Sequence, residues 1–316
     1  MDSTIIIAPK SDKPSLQVDR KNIITTTETP APLFIQASVI NPAVTVSNLV
    51  GTELYTLVQG LPDTASLVNS GGTSIGTPST GPSAVALVSN ELQGLYLKDH
   101  HAGSYTLNVE AVSDVGDGDN QSSAVIPLNV VIMGKETDLN GTPDSDIIIS
   151  DGTAPKITAG NGDDLVAGGT GENRILPGSG SNRVWGGEYS GSGDGHRDTF
   201  AFEAGDTGTT SIQDFEPGVD VIDLSKLLNI DNVWSSGDLA NQVNIDEMDG
   251  KTRITALSEI ISLDTIPLET LLPGGNAMDP AERLSSLVEQ GHLIVSQQFG
   301  HEGKDTLYAP PAAELK

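Results

Sequence analysis

Residues 159–176 read AGNGDDLVAGGTGENRIL, two consecutive nonapeptides of a segment, Gly141 to Phe202, whose sequence period is nine. The eighth place of each nonapeptide is apolar and β-branched, at Ile148, Ile157, Val166, Ile175 and Val184. Phe200 returns to the same phase if Glu188 to Asp194 is a seven-residue insertion. A short strand at each of these places, with its central side chain turned inward, predicts stacked turns around one narrow apolar core.

Glycines occupy the second and fourth places of the later nonapeptides, at Gly160, Gly162, Gly169, Gly171, Gly178 and Gly180. Glycine adopts positive φ at little cost and lets two backbones approach closely, so the chain can reverse every few residues. Such tight turns point backbone carbonyls into the loop, where the sixth-place residues add side-chain oxygens: Asp146, Asp164, Asn173 and Asn182, with Pro155 as the exception. Hard oxygens of this kind suit Ca²⁺, which takes about 6–8 of them at flexible angles.

Consecutive nonapeptides alternate between the two sides of such a stack, so a calcium site draws on nonapeptides two apart. One side then has Asp146, Asp164 and Asn182, and the other has Pro155, Asn173 and Asp198. We expect the first side to bind better, because proline offers no side-chain ligand and asparagine no charge. Asp144 is a further predicted ligand. The competing interpretation is a flexible Gly/Asp linker, which does not explain why five apolar residues keep one phase.

This segment resembles the calcium-binding β-roll of the RTX (repeats-in-toxin) proteins, which bacteria export by type I secretion. The match is specific in AGNGDDLVAGGTGENRI and degenerate in the first two nonapeptides, where Gly141, Thr142 and Pro143 replace the usual glycine pair. The resemblance implies a parallel β-roll over residues 136–225, Ca²⁺ as the cofactor, and secretion to the medium or the bacterial cell surface.

The chain of 316 residues has 16 Lys and Arg against 43 Asp and Glu, a formal net charge of −27. Nucleic acids and anionic membranes need basic surfaces, so the composition argues against both as partners. Cysteine is absent, so metal rather than disulfides is expected to stabilise an extracellular chain. The sequence has no apolar run long enough for a membrane span. Residues 1–13, an expected N-terminal extension, lack the features of a Sec signal peptide.

Residues 14–135 have short alternating apolar runs between Gly, Pro, Asn and Ser, which predict a β-sandwich. The expected strands include Phe34–Ile40, Leu54–Val58, Tyr105–Ala111 and Ile126–Ile132, and residues 69–83 are expected to be a loop. The motifs GLPDTAS (60–66), ELQGL (91–95) and AGSYTLNVEA (102–111) resemble the cadherin-like and immunoglobulin-like modules of large RTX adhesins. By that resemblance Asp117 and Asp119 are candidate calcium ligands in an acidic loop; the equal alternative is a solvated hairpin turn.

The sequence after the repeats resembles the usual end of RTX rolls in the type I secretion C-terminal target family. Its carboxylates Asp214, Asp220 and Asp223 lie between apolar residues and are candidate ligands for a further Ca²⁺. For Asp223 the alternative is that it caps the short turn at residues 226–228 together with Ser225.

Residues 226–316 are expected to form a small mixed cap on the roll. Asp249-Gly250 predicts a tight hairpin. Asp279, Pro280 and Glu282 predict a capped helix that ends at Gly291, with an apolar face of Leu284, Leu287 and Val288 and a strand after it. Residues 284–295 resemble the final segment that the inner-membrane ABC transporter of type I secretion reads, which makes that transporter an expected partner.

No catalytic constellation is apparent, so we expect a protein that is not an enzyme. Gly72 to Gly76 fits G-x-S-x-G, but in a Gly/Ser loop rather than between a strand and a helix. The expected function is the calcium-dependent folding and export end of a large bacterial surface adhesin, whose sandwich is either a passive spacer or the module that contacts a cell-surface, glycan or peptide ligand. The alternative is the tail of an RTX enzyme or toxin with its catalytic domain upstream. Tandem sandwich repeats upstream would favour the first, and a protease or lipase domain the second.

Overall fold

The computed structural model describes residues 13–39, 53–75, 77–78, 84–114, 120–228 and 239–295. Strands predominate among these residues, as expected for an all-β protein. Contacts divide the chain into two compact units. The first comprises Met1–Ile23 and Thr27–Ile132, and the second comprises Ile24–Thr26 and Met133–Lys316.

The first twelve strands of the described residues are β1 (Pro14–Val18), β2 (Asn22–Thr26), β3 (Ala31–Leu33), β4 (Ile35–Val39), β5 (Glu53–Gln59), β6 (Ala65–Val68), β7 (Thr77–Pro78), β8 (Ala84–Val88), β9 (Leu95–Asp99), β10 (Gly103–Asp114), β11 (Gln121–Ser122) and β12 (Ile126–Met133). The others are β13 (Leu139–Asn140), β14 (Asp146–Ile149), β15 (Ile157–Thr158), β16 (Leu165–Ala167), β17 (Arg174–Leu176), β18 (Gly180–Trp185), β19 (Thr199–Ala201), β20 (Gly208–Ile212), β21 (Val221–Asp223), β22 (Val243–Met248), β23 (Lys251–Ala256), β24 (Glu259–Leu263) and β25 (Leu293–Ile294).

The first unit consists of antiparallel sheets. One has the order β12-β10-β5-β8-β7 with β11 beside β10, a second has the order β3-β9-β6, and β1 pairs with β4. In β10, Leu107, Val109 and Ala111 are fully buried and Asn108 between them is exposed, the alternation of a sheet with one face on a core. The four strands expected from the sequence are found as β4, β5, β10 and β12.

The expectation of a loop over residues 69–83 is wrong for Thr77 and Pro78. These two residues form β7, which pairs with Ala86 and Val85 of β8 at the edge of its sheet. Proline is tolerated there because an edge strand has one unpaired side. A two-residue strand in a Gly/Ser/Thr-rich segment leaves no periodicity for sequence reasoning to detect.

The second unit is built on two parallel ladders, with short strands that alternate between them along the chain. The first ladder contains β14, β16, β18, β20 and β24, and the second contains β13, β15, β17, β19, β21 and β25. In the first ladder Ile148 lies opposite Val166, which lies opposite Val184. In the second, Ile157 lies opposite Ile175.

All six apolar positions expected from the nine-residue period are fully buried: Ile148, Ile157, Val166, Ile175, Val184 and Phe200. Phe200 lies opposite Ile175, so the insertion before it is accommodated without loss of phase, as predicted. Ile222 and Leu293 continue the second ladder, and Ile212 and Leu263 continue the first. The apolar stack therefore extends well past the repeats visible in the sequence.

The sheet that contains the first ladder is mixed. At its C-terminal end β24 pairs antiparallel with β23, and β23 pairs antiparallel with β22. Asp249 and Gly250 have φ of 54° and 73° at the turn between β22 and β23, which confirms the predicted hairpin. The helix Pro280–Glu289 begins with the predicted capping box of Asp279 and Glu282, and Gly291 follows its end with φ of 78°.

The described residues contain two further short elements of the same unit, the helix Leu268–Leu271 and the 3₁₀ turn Gly275–Ala277, and one 3₁₀ turn of the first unit, Ser89–Leu92. The ten-residue helix Pro280–Glu289 is the longest of them, and none in this part of the chain is long and apolar enough to cross a membrane.

Candidate metal-binding turns

The sixth-place residues lie near the start of the ladder strands: Asp164 and Asn173 directly precede β16 and β17, and Asp146 and Asn182 lie within β14 and β18. On the first ladder the backbone N–H of Asp146 donates to Oδ1 of Asp164 at 2.9 Å, and the N–H of Asp164 donates to Oδ1 of Asn182 at 2.9 Å. Each bond joins residues 18 apart, which is two nonapeptides. The structure thus brings together the three residues that the sequence places on one side, all at most 1% exposed.

The second ladder repeats the arrangement with longer spacing. The N–H of Asn173 donates to Oδ1 of Asp198 at 2.8 Å, and the N–H of Asp198 donates to Oδ1 of Asp220 at 3.0 Å. By the register of Ile157 with Ile175, Pro155 stands before Asn173 in this series. Proline has no N–H, so this step of the series is missing.

The carboxylates of Asp214 and Asp220 accept hydrogen bonds from backbone N–H groups at the C-terminal end of the repeats. The two carboxylate oxygens of Asp214 accept from the N–H groups of Gly186 and Gly187 at 2.9 and 3.0 Å. The second oxygen of Asp220 accepts from the N–H of Glu216 at 2.8 Å. Both carboxylates are therefore fixed by the backbone and buried, at 7% and 2% exposed.

Burial makes the negative charge of these carboxylates unfavourable. Burial raises the pKa of Asp198 to about 7, although the hydrogen bond from the Asn173 N–H lowers it. The charge of Asp220 raises this pKa further. Burial also raises the pKa of Asp220 to about 6, with the charges of Glu216 and Asp214 acting in the same direction. The pKa of Asp214 is raised for the same first reason. A bound cation or a proton would relieve this cost.

Glycine is required where successive turns touch. A Cβ on Gly178 would lie 1.8 Å from the carbonyl oxygen of Gly160, and one on Gly180 would lie 1.9 Å from that of Gly162. Both glycines also have positive φ, of 71° and 129°. Positive φ is shared by the other glycines of the predicted set: Gly160, Gly162, Gly169 and Gly171. At each of these glycines except Gly171, an added Cβ would lie less than 3.0 Å from the backbone of the neighbouring turn.

The amide of Asn173 lies among carbonyl groups of its own turn and of Gly186, which follows β18. Its Nδ2 donates to the carbonyl oxygens of Gly171 at 2.8 Å, Gly169 at 3.1 Å and Gly186 at 3.3 Å. Its Oδ1 is buried and accepts no hydrogen bond within the described residues. Asn182, by comparison, donates from Nδ2 to the carbonyl oxygen of Gly178 at 3.2 Å.

In the degenerate first nonapeptide, Thr142 makes hydrogen bonds with both Asp144 and Asp146. Its backbone N–H and its hydroxyl both donate to the carboxylate of Asp146, the hydroxyl at 2.9 Å. A Cβ on Gly141 would lie 2.6 Å from Oδ2 of Asp146 and 2.0 Å from the carbonyl oxygen of Ala159, so carboxylate and carbonyl oxygens converge there. Asp144, a predicted ligand, is exposed, and its N–H donates to the Thr142 hydroxyl at 3.1 Å.

Among the remaining predicted ligands, Asp223 bonds to side chains and to a neighbouring N–H and, within the described part of the chain, not to the next turn of its ladder. One oxygen of Asp223 accepts from the Ser225 N–H at 3.0 Å and from its hydroxyl at 2.6 Å, and the other accepts from Arg174 at 3.1 Å. In the turn at residues 226–228, the N–H groups of Leu227 and Leu228 donate to the carbonyl oxygen of Leu224, so Asp223 is bonded to Ser225 but not to that turn. Asp117 and Asp119 lie outside the described residues.

Sequence reasoning missed several acidic side chains of this region. Asp194, in the insertion, accepts from the N–H of Gly171 at 2.8 Å, and Glu216 accepts from Gly195 at 2.7 Å. Asp163 accepts from the N–H of Ser181 at 2.8 Å, a fifth-place analogue of the sixth-place bonds. Asp163 and Ser181 are 18 residues apart, which is two nonapeptides, so the period of nine could have predicted this bond. Asp194 carries no such signal, because the length of the insertion hides its partner.

The carboxylate oxygens of Asp146, Asp164, Asp198 and Asp220 and the carbonyl oxygens of the glycine turns are the kind of hard donor atoms that suit a cation such as Ca²⁺. Among the described residues, no group of three or more His, Asp or Glu side chains is placed to hold a metal ion. Comparisons of the chain with models of protein families, with curated proteins and with solved structures gave no match in any of the three.

Proposed function

We propose that the second unit is a calcium-binding β-roll and that the first unit is a β-sandwich of the cadherin-like or immunoglobulin-like kind. The observation that carries the proposal is the pair of parallel ladders with buried carboxylates or amides at the same place in successive turns. Buried carboxylates are unfavourable unless they are paired or bind metal, and oxygen-lined turns are suited to Ca²⁺.

The ligands in this proposal are oxygens of the turns themselves. On the first ladder they are the carboxylates of Asp146 and Asp164 with carbonyl groups of the glycine turns. At the far end they are Asp198, Asp214 and Asp220, whose raised pKa values accord with a need for a neutralising partner. When bound, Ca²⁺ would supply positive charge between turns, and the residues of this chain would orient the oxygens around it.

The biological role we infer is the distal end of a large secreted bacterial adhesin. The strongly acidic composition supports it, because mutual repulsion of buried carboxylates disfavours folding where free calcium is scarce. A chain of low stability in the cytosol is suited to a type I export channel, whose ABC transporter would read the C-terminal segment. Outside the cell, calcium that binds only the folded form would shift the equilibrium towards it. The first unit would then be displayed as the adhesive or spacer module.

Calcium-dependent folding of the intact chain tests this function. Far-UV circular dichroism and thermal unfolding are measured in EGTA, in millimolar Ca²⁺, and in Mg²⁺ at the same ionic strength. We expect a gain of β-structure and a higher Tm in Ca²⁺ only, reversed by EGTA. A Tm and spectrum that are equal in Ca²⁺ and EGTA would contradict the proposal.

The carboxylates can be tested separately with matched variants. Asp164→Asn keeps an oxygen for the Asp146 N–H and removes one charge from the first ladder. We expect it to weaken the calcium-induced rise in Tm. Asp223→Asn, at a carboxylate already held by Arg174 and Ser225, is the control and is expected to leave that rise unchanged.

A further inference from the structure

The Asn173 amide group occupies the centre of an oxygen-lined turn. An amide nitrogen carries two hydrogens, and here it faces three carbonyl oxygens at 2.8 to 3.3 Å. The two hydrogens are therefore shared among these three carbonyl oxygens and the carboxylate of Asp198, which the Asn173 side chain also contacts. Two of those carbonyls, Gly169 and Gly171, belong to the second and fourth places of the turn, which supply the predicted calcium ligands elsewhere.

The orientation of the amide is set by its surroundings. Rotating it by half a turn would place Oδ1 against the three carbonyl oxygens, which is repulsive without a cation between them. The space now taken by Oδ1 would then hold an amide N–H group. The preceding residue of this ladder, Pro155, has no N–H with which to pair Oδ1. Oδ1 therefore remains buried without a hydrogen bond from the described residues, which is the cost of directing Nδ2 at the carbonyls.

We propose that the amide of Asn173 replaces a cation in its turn, so that this turn of the second ladder closes without metal. The carbonyl oxygens of Gly169, Gly171 and Gly186 then serve as acceptors for the amide and do not bind calcium. The expected number of bound ions rests on the proposed calcium binding. The second unit then has one turn that is closed in the absence of ions, and other turns that close when Ca²⁺ binds.

The neighbouring turns show why Asn173 differs from the other sixth-place residues. Asp146 and Asp164 carry a carboxylate, which cannot donate to carbonyl groups and therefore leaves those oxygens to another donor or a cation. Asn182 uses its Oδ1 as an acceptor for the N–H of Asp164 and reaches one carbonyl with Nδ2. Asn173 alone of these four residues directs its amide at three carbonyl groups.

The test uses the full chain with Asn173→Asp and Asn173→Ala, and Asn276→Asp as an exposed control of the same charge change in the second unit. Thermal unfolding in EGTA measures closure without metal, and equilibrium dialysis against Ca²⁺ counts bound ions. We expect both Asn173 variants to lower Tm in EGTA by about 5–10 °C, since the hydrogen bonds from the amide to its turn are lost. Asn173→Asp should bind one Ca²⁺ more than the unmodified chain, and Asn276→Asp should change neither quantity.

The outcomes separate this inference from the proposed function. If Asn173→Ala binds one ion fewer than the unmodified chain, the side chain is itself a ligand and the inference is overturned. Unchanged Tm in EGTA for both Asn173 variants, or no added ion with Asn173→Asp when the unmodified chain binds calcium, overturns it too. If no form of the chain binds calcium, the proposed function fails, and the Tm of Asn173→Ala in EGTA still decides whether the amide closes the turn.

Discussion

The backbone N–H of Asp198 donates to Oδ1 of Asp220 at 3.0 Å, while Oδ1 of Asp198 accepts the N–H of Asn173 at 2.8 Å. Each buried carboxylate is thus a structural link from one turn to the next. The same links place negative charge inside the second unit, where solvation is poor. Both the links between these turns and the buried charge therefore come from the same two residues, Asp198 and Asp220.

Stability without metal is expected to fall as pH rises. Burial raises the pKa of Glu259 to about 7 from an ordinary value of 4.5, and its Oε1 accepts the Thr210 hydroxyl at 2.9 Å. The folded state thus holds the proton more tightly than the unfolded state, so stability decreases from about pH 5 through about pH 7. Asp198 and Asp220 act in the same direction, and His292, whose pKa burial lowers, opposes them below its ordinary value of 6.5.

Thermal unfolding in EGTA across that pH range checks this prediction. Glu259→Gln removes one titrating group and should flatten the decline in Tm, whereas Glu203→Gln, at an exposed residue, should leave it unchanged. A Tm in EGTA that rises between about pH 5 and 8 would show that the buried carboxylates do not control stability there.

A side chain at Gly180 is expected to disrupt the stack. Gly180→Ala puts a Cβ 1.9 Å from the carbonyl oxygen of Gly162, at a φ of 129°. We expect a loss of about 3 kcal/mol or more in the free energy of unfolding, since the backbone of two turns must move. Gly205→Ala is the control, because Gly205 has a φ of 99° and no atom within 4 Å of an added Cβ. It should cost about 1–2 kcal/mol, the strain of a residue with a Cβ at positive φ. Equal losses in chemical denaturation would contradict close stacking at Gly180.

The apolar stack of the second ladder is tested at Ile175. This residue is fully buried and lies between Ile157 and Phe200 in register. Truncation in Ile175→Ala should lower the free energy of unfolding by about 2–5 kcal/mol, measured in Ca²⁺ by denaturant titration. Met248→Ala, at a residue 53% exposed in the same unit, should stay within about 0.5 kcal/mol of the unmodified chain. A small effect at Ile175 would mean that the stack does not stabilise the unit.

The nine-residue period predicts the parallel stack because inward apolar residues and close glycines recur at fixed places, and local sequence carries both. It predicts Phe200 in phase for the same reason, once the insertion is removed. The hairpin at Asp249-Gly250 and the capped helix from Pro280 are equally local, since their turn and capping residues are adjacent in sequence.

Other features depend on pairings between distant residues and leave no local signal. Glu259 joins the first ladder opposite Gly208, and Leu293 extends the second ladder opposite Ile222, although neither belongs to the repeats. The threefold contact of the Asn173 amide depends on where Gly186 comes to lie, and Asp194 reaches Gly171 only because its insertion folds back. Side-chain direction in these turns follows from the fold and cannot be obtained from the period alone.

The central claim is that the acidic turns of the second unit bind calcium, and counting bound ions tests it most directly. Equilibrium dialysis of the intact chain against millimolar Ca²⁺ with excess Mg²⁺ gives the number of ions per molecule. We predict more than one bound Ca²⁺, with at least one lost in Asp164→Asn and none lost in Asp223→Asn. A chain that retains no Ca²⁺ under these conditions would contradict the account.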